Sequence, residues 1–321
     1  MIIDTNPEFG VELACVIPYA YWLHTQGQLE KVVTSKGMKP FYFFCDNVEE
    51  KYTSRSVDNG NNGVQHMPNT WNHHNAKAIT GRDYQELTES EKFEVNGVLD
   101  YSKWKCPPYS KIYKEDIFKF DKPHVIVSNK IVTDHGRTPV GYFDIEALYN
   151  IFNELTTAGY KVIYKRPKMT EYPVDMNEIN SRNLTISANV EGRGIMTDYD
   201  LVEEYDDVIL FDDLITNDSY NITQLKWFST ADFFVSISGG NSIFCCLFEK
   251  PVLTYVSVSN ECRPGYFDGD CYYKKLSSAE VISVIDVEKD ILHRGHRDYS
   301  EFYVKLKKLI KNEKTNNITS H

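Results

Sequence analysis

The sequence predicts an α/β protein built on parallel β-sheets. Three features indicate this class: short strands that are apolar throughout, helical segments between them, and glycine- and serine-rich turns where strands end. The most informative stretch, residues 231–257, contains two apolar strands joined by a two-glycine turn and a short apolar helix. Continuously apolar strands are typical of a parallel sheet that carries helices on both faces.

Size and charge limit the possible functions. At 321 residues the chain is long for a single core, so we expect two domains. A formal net charge of −11 argues against nucleic acid as the main partner. The sequence contains no apolar run of about 18 residues, the length needed to span a bilayer. The N-terminus lacks signal-peptide features, and the seven cysteines form no CxxC pair. We therefore expect a cytoplasmic protein with reduced thiols.

The first half of the chain, residues 1–120, has a sparse pattern. Pro18 should bend its first helix, and Gly27 should end it. Residues 46–75 are polar, with a flexible loop at 59–63, and residues 76–120 follow no clear periodicity. The predicted elements are a strand at residues 2–5, a helix at 9–26 and a buried strand at 41–45.

The second half, residues 121–296, alternates strands and helices as a Rossmann-like unit does. Asp144 should cap its first helix and Gly159 should end it. The predicted strands are 124–128, 161–165, 208–211, 233–237 and 252–256. The predicted helices are 145–158, 200–205, 221–230 and 241–249, with a terminal helix at 299–312 and a long polar loop at 166–198.

The turn after residues 233–237 is predicted to bind phosphate. Small polar residues and glycines at the start of a helix leave backbone N–H groups free, and the helix dipole there favours an anion. The spacing is neither GxGxxG nor the P-loop pattern, which disfavours a dinucleotide or ATP site. The alternative is a turn that merely reverses the chain. The predicted ligands are Ser236, Ser238, Gly239, Gly240, Asn241 and Ser242.

Other strand ends of the second half should meet this turn at the same edge of the sheet. Lys130 could pair with a phosphate there while Asn129 supports the loop. Arg166 offers a planar guanidinium that fits phosphate oxygens, and Arg263 is a further candidate. For Lys130, the alternative is a solvated lysine in a loop.

The strand–SGGNS–helix–strand unit, preceded by a separate α/β half, resembles the GT-B glycosyltransferases. The likeness is to the metal-independent, heptosyltransferase-like group, with a weaker likeness to fucosyltransferase-type enzymes. In that group a glycine-led turn carries a catalytic acid, and a proline follows about two turns later. Gly10, Glu12 and Pro18 look like this set, although the acid stands one position later here.

The resemblance implies two Rossmann-like domains facing across a cleft. Residues 1–120 would bind the acceptor, residues 121–296 would bind the nucleotide-sugar donor, and the last helix, within 297–321, would cross back to the first domain. The implied reaction is an inverting, metal-independent hexosyl or deoxyhexosyl transfer from a UDP- or GDP-linked donor to a glycan or other hydroxyl acceptor. The nucleotide-sugar is then a substrate, and no cofactor or metal is expected.

Glu12 would be the general base of such a reaction, facing the cleft. Its alternative role is to complement the helix dipole. The adjacent His73 and His74 could also act as a base or contact the acceptor. Two other functions stay open: a two-domain sugar-nucleotide epimerase, and a non-catalytic nucleotide- or glycan-binding protein.

Overall fold

The structure is a computed structural model, and its described residues form two parallel sheets and one antiparallel hairpin. The first half of the chain forms a three-stranded sheet and the second half a six-stranded sheet. The residues that the structure describes are 1–53, 55, 81–82, 86–88, 91, 101–131, 141–166, 185–216, 218–256, 278, 280–285 and 298–319.

The three-stranded sheet has the order β1-β2-β3 and is parallel. Its strands are β1 (Ile2–Asp4), β2 (Lys31–Ser35) and β3 (Val48–Tyr52). The predicted strand at residues 2–5 is confirmed, but the predicted strand at 41–45 is wrong. The chain there forms a 3-10 helix, Lys39–Tyr42, whose first turn contains a proline. Proline supplies no N–H to a sheet, and a single helical turn still buries two aromatic side chains.

The first helix, α1, runs in three consecutive segments. They are Phe9–Val11, a π-helical turn at Glu12–Val16, and Ile17–Thr25. Pro18 lies in the first turn of the last segment, where the hydrogen-bond register has already been changed by the π turn. Gly27 follows with φ of 68°, so the predicted end of the helix is confirmed.

The six-stranded sheet has the order β11-β10-β9-β4-β5-β8, and every neighbouring pair is parallel. Its strands are β4 (His124–Ser128), β5 (Lys161–Lys165), β8 (Val208–Leu210), β9 (Phe233–Ile237), β10 (Val252–Val256) and β11 (Val281–Ile285). All five predicted strands of this half are therefore confirmed. The predicted polar loop at 166–198 includes a hairpin that was not expected, formed by β6 (Ser187–Val190) and β7 (Gly194–Thr197).

Helices connect the strands of the second sheet. Asp144 caps α3 by accepting a hydrogen bond from the Ala147 amide at 2.9 Å, and Gly159 follows the helix with φ of 88°. Both predicted ends are confirmed. The helices after α1 that lie in the described residues are α2 (Tyr109–Ile112), α3 (Ile145–Thr157), α4 (Asp198–Glu203), α5 (Tyr220–Thr230), α6 (Gly240–Cys246) and α7 (Ser300–Thr319). In the described part of the chain, no helix has the length and apolar character needed to cross a membrane.

The six-stranded sheet buries a different cluster on each face, because side chains alternate along a strand. On the outer face, Val125 and Val127 of β4 pack with residues of α3 and α7. On the inner face, Ile126 of β4 belongs to a cluster that includes Ile3 and Val32 of the first sheet. The two halves therefore share an apolar core on the inner face.

The terminal helix α7 packs on the second half. Phe302 and Leu306 are fully buried in the outer-face cluster. Asn150 Nδ2 of α3 donates to the Tyr303 hydroxyl at 3.2 Å. We expected the last helix to cross back to the first half. Residues 298–319 instead pack on the second half, because the apolar side of this helix faces the second sheet.

Candidate functional site

The candidate site is centred on the bend between β9 and α6. Gly239 caps α6 with φ of 119°, a backbone conformation that favours glycine. A Cβ atom built on Gly239 would overlap Lys130 Nζ. The missing side chain therefore leaves the space in which the lysine amine lies, directly against the bend.

The start of α6 presents unused hydrogen-bond donors. In the described part of the chain, the backbone amides of Gly240 and Asn241 have no acceptor. The Ser242 amide and hydroxyl both donate hydrogen bonds to the Gly239 carbonyl, at 3.0 and 2.8 Å. Open amides in the first turn of a helix carry partial positive charge and suit an anionic ligand.

The bend also lies where the two halves meet. A Cβ atom on Gly10 of α1 would lie 3.3 Å from Gly240 Cα, so the two glycine backbones are in direct contact. A Cβ atom on Gly240 would lie 3.7 Å from Phe9 Cδ1. Gly240 is half-buried and Gly239 is buried. The first helix thus covers one side of the bend, while the Lys130 amine lies on another.

The amine of Lys130 lies against the bend, whereas the side chain of its neighbour Asn129 is used inside the fold. Lys130 is half-buried and forms no ion pair with the residues that the structure describes. Asn129 is fully buried; its Nδ2 donates to the Phe143 carbonyl and to the Tyr164 hydroxyl, both at 3.1 Å. Its Oδ1 accepts the amides of Lys130 and Phe143, both at 2.9 Å. Asn129 braces the loop and has no polar atom left for a ligand.

Arg166 does not point to the bend. Its Nη1 contacts both carboxylate oxygens of Asp198, at 2.8 and 2.9 Å, and both side chains are buried. The Tyr164 hydroxyl donates to the same carboxylate at 2.8 Å. Burial and the Asp198 charge raise the pKa of Tyr164 well above its usual value. The structure therefore does not bring Arg166 to the bend, and its phosphate role stays a prediction.

Glu12 lies inside the first half and not at a cleft. It has no exposed surface, and it accepts hydrogen bonds from the Tyr42 hydroxyl at 2.8 Å and from Arg55 Nη1 at 2.6 Å. Thr34 Oγ1 donates to the same carboxylate, and Arg55 Nη1 also donates to the Pro7 carbonyl at 2.8 Å. Burial and the Glu12 charge raise the pKa of Tyr42 well above its usual value. The structure therefore places the Glu12 carboxylate among three donors and away from a cleft, and its role as base stays a prediction.

The two serines of β9 and its end lie beneath the bend. Ser236 is fully buried, and its Oγ donates to the Ile237 carbonyl at 2.8 Å. Ser238 is 3% exposed, and its amide donates to the Tyr255 carbonyl at 3.0 Å. Ser236 is therefore part of the sheet interior and not a surface ligand. Ser238 stays adjacent to the bend.

One functional candidate was missed by the sequence reasoning. Lys165, the last residue of β5, is 3% exposed, and its Nζ donates to Asn241 Oδ1 at 3.1 Å. Lys165 and Arg166 are consecutive in an extended segment, so they point to opposite faces of the sheet. Tyr164 packs on the outer face, which assigns Arg166 to that face and Lys165 to the inner face. This alternation was the signal that could have identified Lys165.

The other predicted site residues, His73, His74 and Arg263, lie outside the described residues. Within the described ranges, no group of three or more His, Cys, Asp or Glu side chains is placed to hold a metal ion.

Comparison with known proteins gives a likeness of fold. The sequence matches no protein-family model and no curated protein. Among solved structures, the ADP-heptose lps heptosyltransferase II of E. coli is similar with a TM-score of 0.53 and 10% identity, covering 98% of both chains. A glycosyl transferase family 9 structure from Veillonella parvula is similar with a TM-score of 0.50 and 10% identity, covering 97% of both chains.

A longer protein is also similar. The chain spans 59% of the length of the iron-containing dodecameric glycosyltransferase TibC from enterotoxigenic E. coli, with a TM-score of 0.41 and 12% identity over 79% of this chain. At these identities the likeness concerns the fold alone. Together with the two parallel sheets, the first two likenesses show that the chain has the GT-B fold of heptosyltransferases.

Proposed function

We propose that the protein is a glycosyltransferase that moves a sugar from a nucleotide-sugar donor to a hydroxyl acceptor. The observation that carries the proposal is the bend at residues 239–242. It combines open amides at Gly240 and Asn241 with the amine of Lys130, at the boundary between the two halves. The GT-B fold supports the same conclusion, since two of its solved examples are named as glycosyltransferases.

The chemistry assigned to the bend is stabilisation of the leaving group. When the sugar–phosphate bond breaks, negative charge grows on the diphosphate. Donors already fixed in position stabilise that charge without reorganising. The amides of Gly240 and Asn241 and the ammonium group of Lys130 would supply these donors. In this proposal the transfer needs no metal ion, and chelation with EDTA should leave turnover unchanged.

The burial of Glu12 favours a general base other than this residue. Glu8 is half-buried at the N-cap position of α1, two residues before the glycine that touches Gly240. We assign the base to Glu8, with His73 and His74 as the other candidates. Attack by the activated hydroxyl from the side opposite the diphosphate would invert the anomeric carbon. General base catalysis contributes about 10²–10⁴ in rate, so Glu8→Gln should lower kcat by about that factor.

The donor is proposed as a nucleoside-diphosphate sugar. UDP- and GDP-linked hexoses or deoxyhexoses follow from the sequence resemblance. The E. coli enzyme of similar fold is named for ADP-heptose, which adds ADP and a heptose to the candidates. The acceptor is proposed to bind against the first half, beside Glu8.

The first experiment is a thermal-shift panel with ADP, GDP, UDP, dTDP and CMP. A ligand at about 100 times its dissociation constant stabilises the folded state by about 2.7 kcal/mol, which a melting curve resolves. A charge-assisted hydrogen bond contributes about 1.5–3 kcal/mol, so Lys130→Met should weaken the best ligand roughly 10- to 100-fold. Lys119→Met, which removes an exposed lysine paired with Asp116, is the control. Absence of any shift with all five nucleotides would contradict the proposal.

The second experiment measures turnover. Nucleotide-sugars that share the base of the best ligand are incubated with candidate glycan acceptors, and release of the nucleoside diphosphate is followed with and without EDTA. A glycosyltransferase releases it in an acceptor-dependent manner. Conversion of the nucleotide-sugar alone into a new sugar isomer would identify an epimerase instead. Binding without any conversion would favour a non-catalytic protein.

A further inference from the structure

A row of polar side chains crosses the inner face of the six-stranded sheet below the bend. Ser128 pairs in register with Lys165 on one side and with Ser236 on the other, and Ser236 pairs with Thr254. Residues in register on neighbouring parallel strands project to the same face. All four are at least 97% buried. This layer is polar at a depth where a sheet normally carries apolar side chains.

Two hydroxyl groups of this row, Ser128 Oγ and Thr254 Oγ1, are buried and have no hydrogen-bond partner among the residues that the structure describes. Buried polar atoms are nearly always hydrogen-bonded in folded proteins, and unpaired ones call for an explanation. Because Ser128 and Thr254 flank Ser236, the strand that leads into the bend is bordered by polar groups on both sides. The row is thus built for polarity beneath the bend and not for apolar packing.

Lys165 connects this row to the bend. Its Nζ donates to Asn241 Oδ1 at 3.1 Å, and Asn241 belongs to the first turn of α6. The same Nζ lies 5.8 Å from the Tyr220 ring centroid and 5.9 Å from that of Phe228. These aromatic faces attract a cation and exclude water from it. The lysine head is therefore held in one place, directly behind the residue whose amide faces the proposed diphosphate.

We propose that Lys165 is a positioning residue of the phosphate site: it orients Asn241 and places a positive charge behind the bend, so that it strengthens diphosphate binding without touching the ligand. This inference rests on the proposed function. Two unit charges about 10 Å apart, at an effective dielectric constant of about 20, attract each other enough for roughly a tenfold change in affinity. Lys130 acts from the ligand's side of the bend and Lys165 from behind it.

The test compares each nucleoside diphosphate with its nucleoside, because the nucleoside lacks the charge that Lys165 would attract. Dissociation constants for ADP and adenosine, GDP and guanosine, and UDP and uridine are measured by calorimetry for wild type, Lys165→Met and Lys165→Arg. Lys161→Met is the matched control, since Lys161 begins the same strand and pairs with Asp207 at 3.4 Å. Melting temperatures are recorded for every variant.

We expect Lys165→Met to lower the affinity for the diphosphate that wild type binds by about tenfold and to leave the affinity for the corresponding nucleoside unchanged. Lys165→Arg should restore most of the affinity, and Lys161→Met should behave as wild type. Equal affinity of wild type and Lys165→Met for the diphosphate would overturn the inference. Equal losses for diphosphate and nucleoside would also overturn it, because they indicate a purely structural role. Failure of wild type to bind any of the three diphosphates, together with no thermal shift from dTDP or CMP, would instead count against the proposed function.

Discussion

At the scale of single residues, the position of a charged residue in the sequence did not show whether its side chain is available to a ligand in the folded protein. Glu12 and Arg166 were predicted to serve the site, yet each is held in a buried ion pair. Glu12 sits in the π-helical turn, and its partners Thr34, Tyr42 and Arg55 come from distant parts of the first half. No local sequence pattern reports such partners, because they are brought together only by the folded first half.

The enclosed Glu12 carboxylate should matter for stability. We predict that Glu12→Gln lowers the free energy of unfolding by about 3–5 kcal/mol, because it leaves the buried Arg55 charge unbalanced. Urea unfolding followed by circular dichroism measures this change. Glu8→Gln serves as the comparison, since Glu8 is half-buried, and it should unfold close to wild type. A Glu12→Gln protein as stable as wild type would show that the ion pair contributes little.

His124 gives a prediction for pH. Burial lowers the pKa of this imidazole below 6.5, an effect only partly offset by the Trp227 carbonyl and the Asp232 charge. The folded state therefore binds fewer protons than the unfolded state between the lowered pKa and about 6.5. Stability attributable to His124 should fall as pH drops through that window.

Substitution isolates this contribution. His124→Phe should show a smaller loss of stability than wild type between pH 7.5 and pH 5.5, in urea titrations at both values. Carboxylates shared by both proteins cancel in the comparison. An identical loss in the two proteins would mean that His124 does not titrate differently on folding.

At the scale of elements, the sequence predicted the second sheet well and the first sheet poorly. Strands such as Phe233–Ile237 are mostly apolar and are followed by a glycine-containing turn, so they could be recognised alone. β3 consists mostly of charged residues because it is mostly exposed, and β2 has only two apolar residues although most of it is buried. The apolar run at 41–45 gave the stronger signal, although a proline-led helical turn occupies it. Apolar character indicated burial correctly but could not distinguish a buried turn from a buried strand.

The bend between β9 and α6 yields a prediction at this scale. Gly239→Ala should lower both the melting temperature and diphosphate affinity, because its Cβ meets the Lys130 side chain in addition to the strained backbone at φ of 119°. Gly192→Ala is the control for backbone strain alone: φ there is 76°, and nothing lies within 4 Å of an added Cβ. A left-handed non-glycine residue costs about 1–2 kcal/mol, so the control should lose stability by that amount and keep its affinity. Equal changes of melting temperature and diphosphate affinity in both variants would contradict the role of Lys130 at the bend.

At the scale of the whole molecule, the two halves share one of the two apolar clusters. Ile3 and Val32 of the first sheet and Phe234 of the second are all fully buried within it. The glycine backbones of residues 10 and 240 add a direct contact at the site. Sequence resemblance gave the two-half architecture correctly. It did not give the partners across the boundary, since they depend on how the two halves pack.

Shared burial predicts joint unfolding. We expect one calorimetric transition in which the van't Hoff and calorimetric enthalpies agree, because separating the halves would expose the common cluster. Gly10→Val, which forces a branched side chain against Gly240 Cα, should lower the midpoint temperature of that transition and broaden it. Two resolved transitions in wild type would show that each half is stable alone.

The attachment of α7 to the second half makes the molecule suitable for distance measurements. Val304 is 68% exposed on this helix, and Lys36 is exposed on the first half. Fluorophores attached at these two positions would belong to different halves, so the efficiency of energy transfer between them reports the distance between the halves. Comparing that distance with and without nucleotide then shows whether ligand binding changes the separation of the two halves.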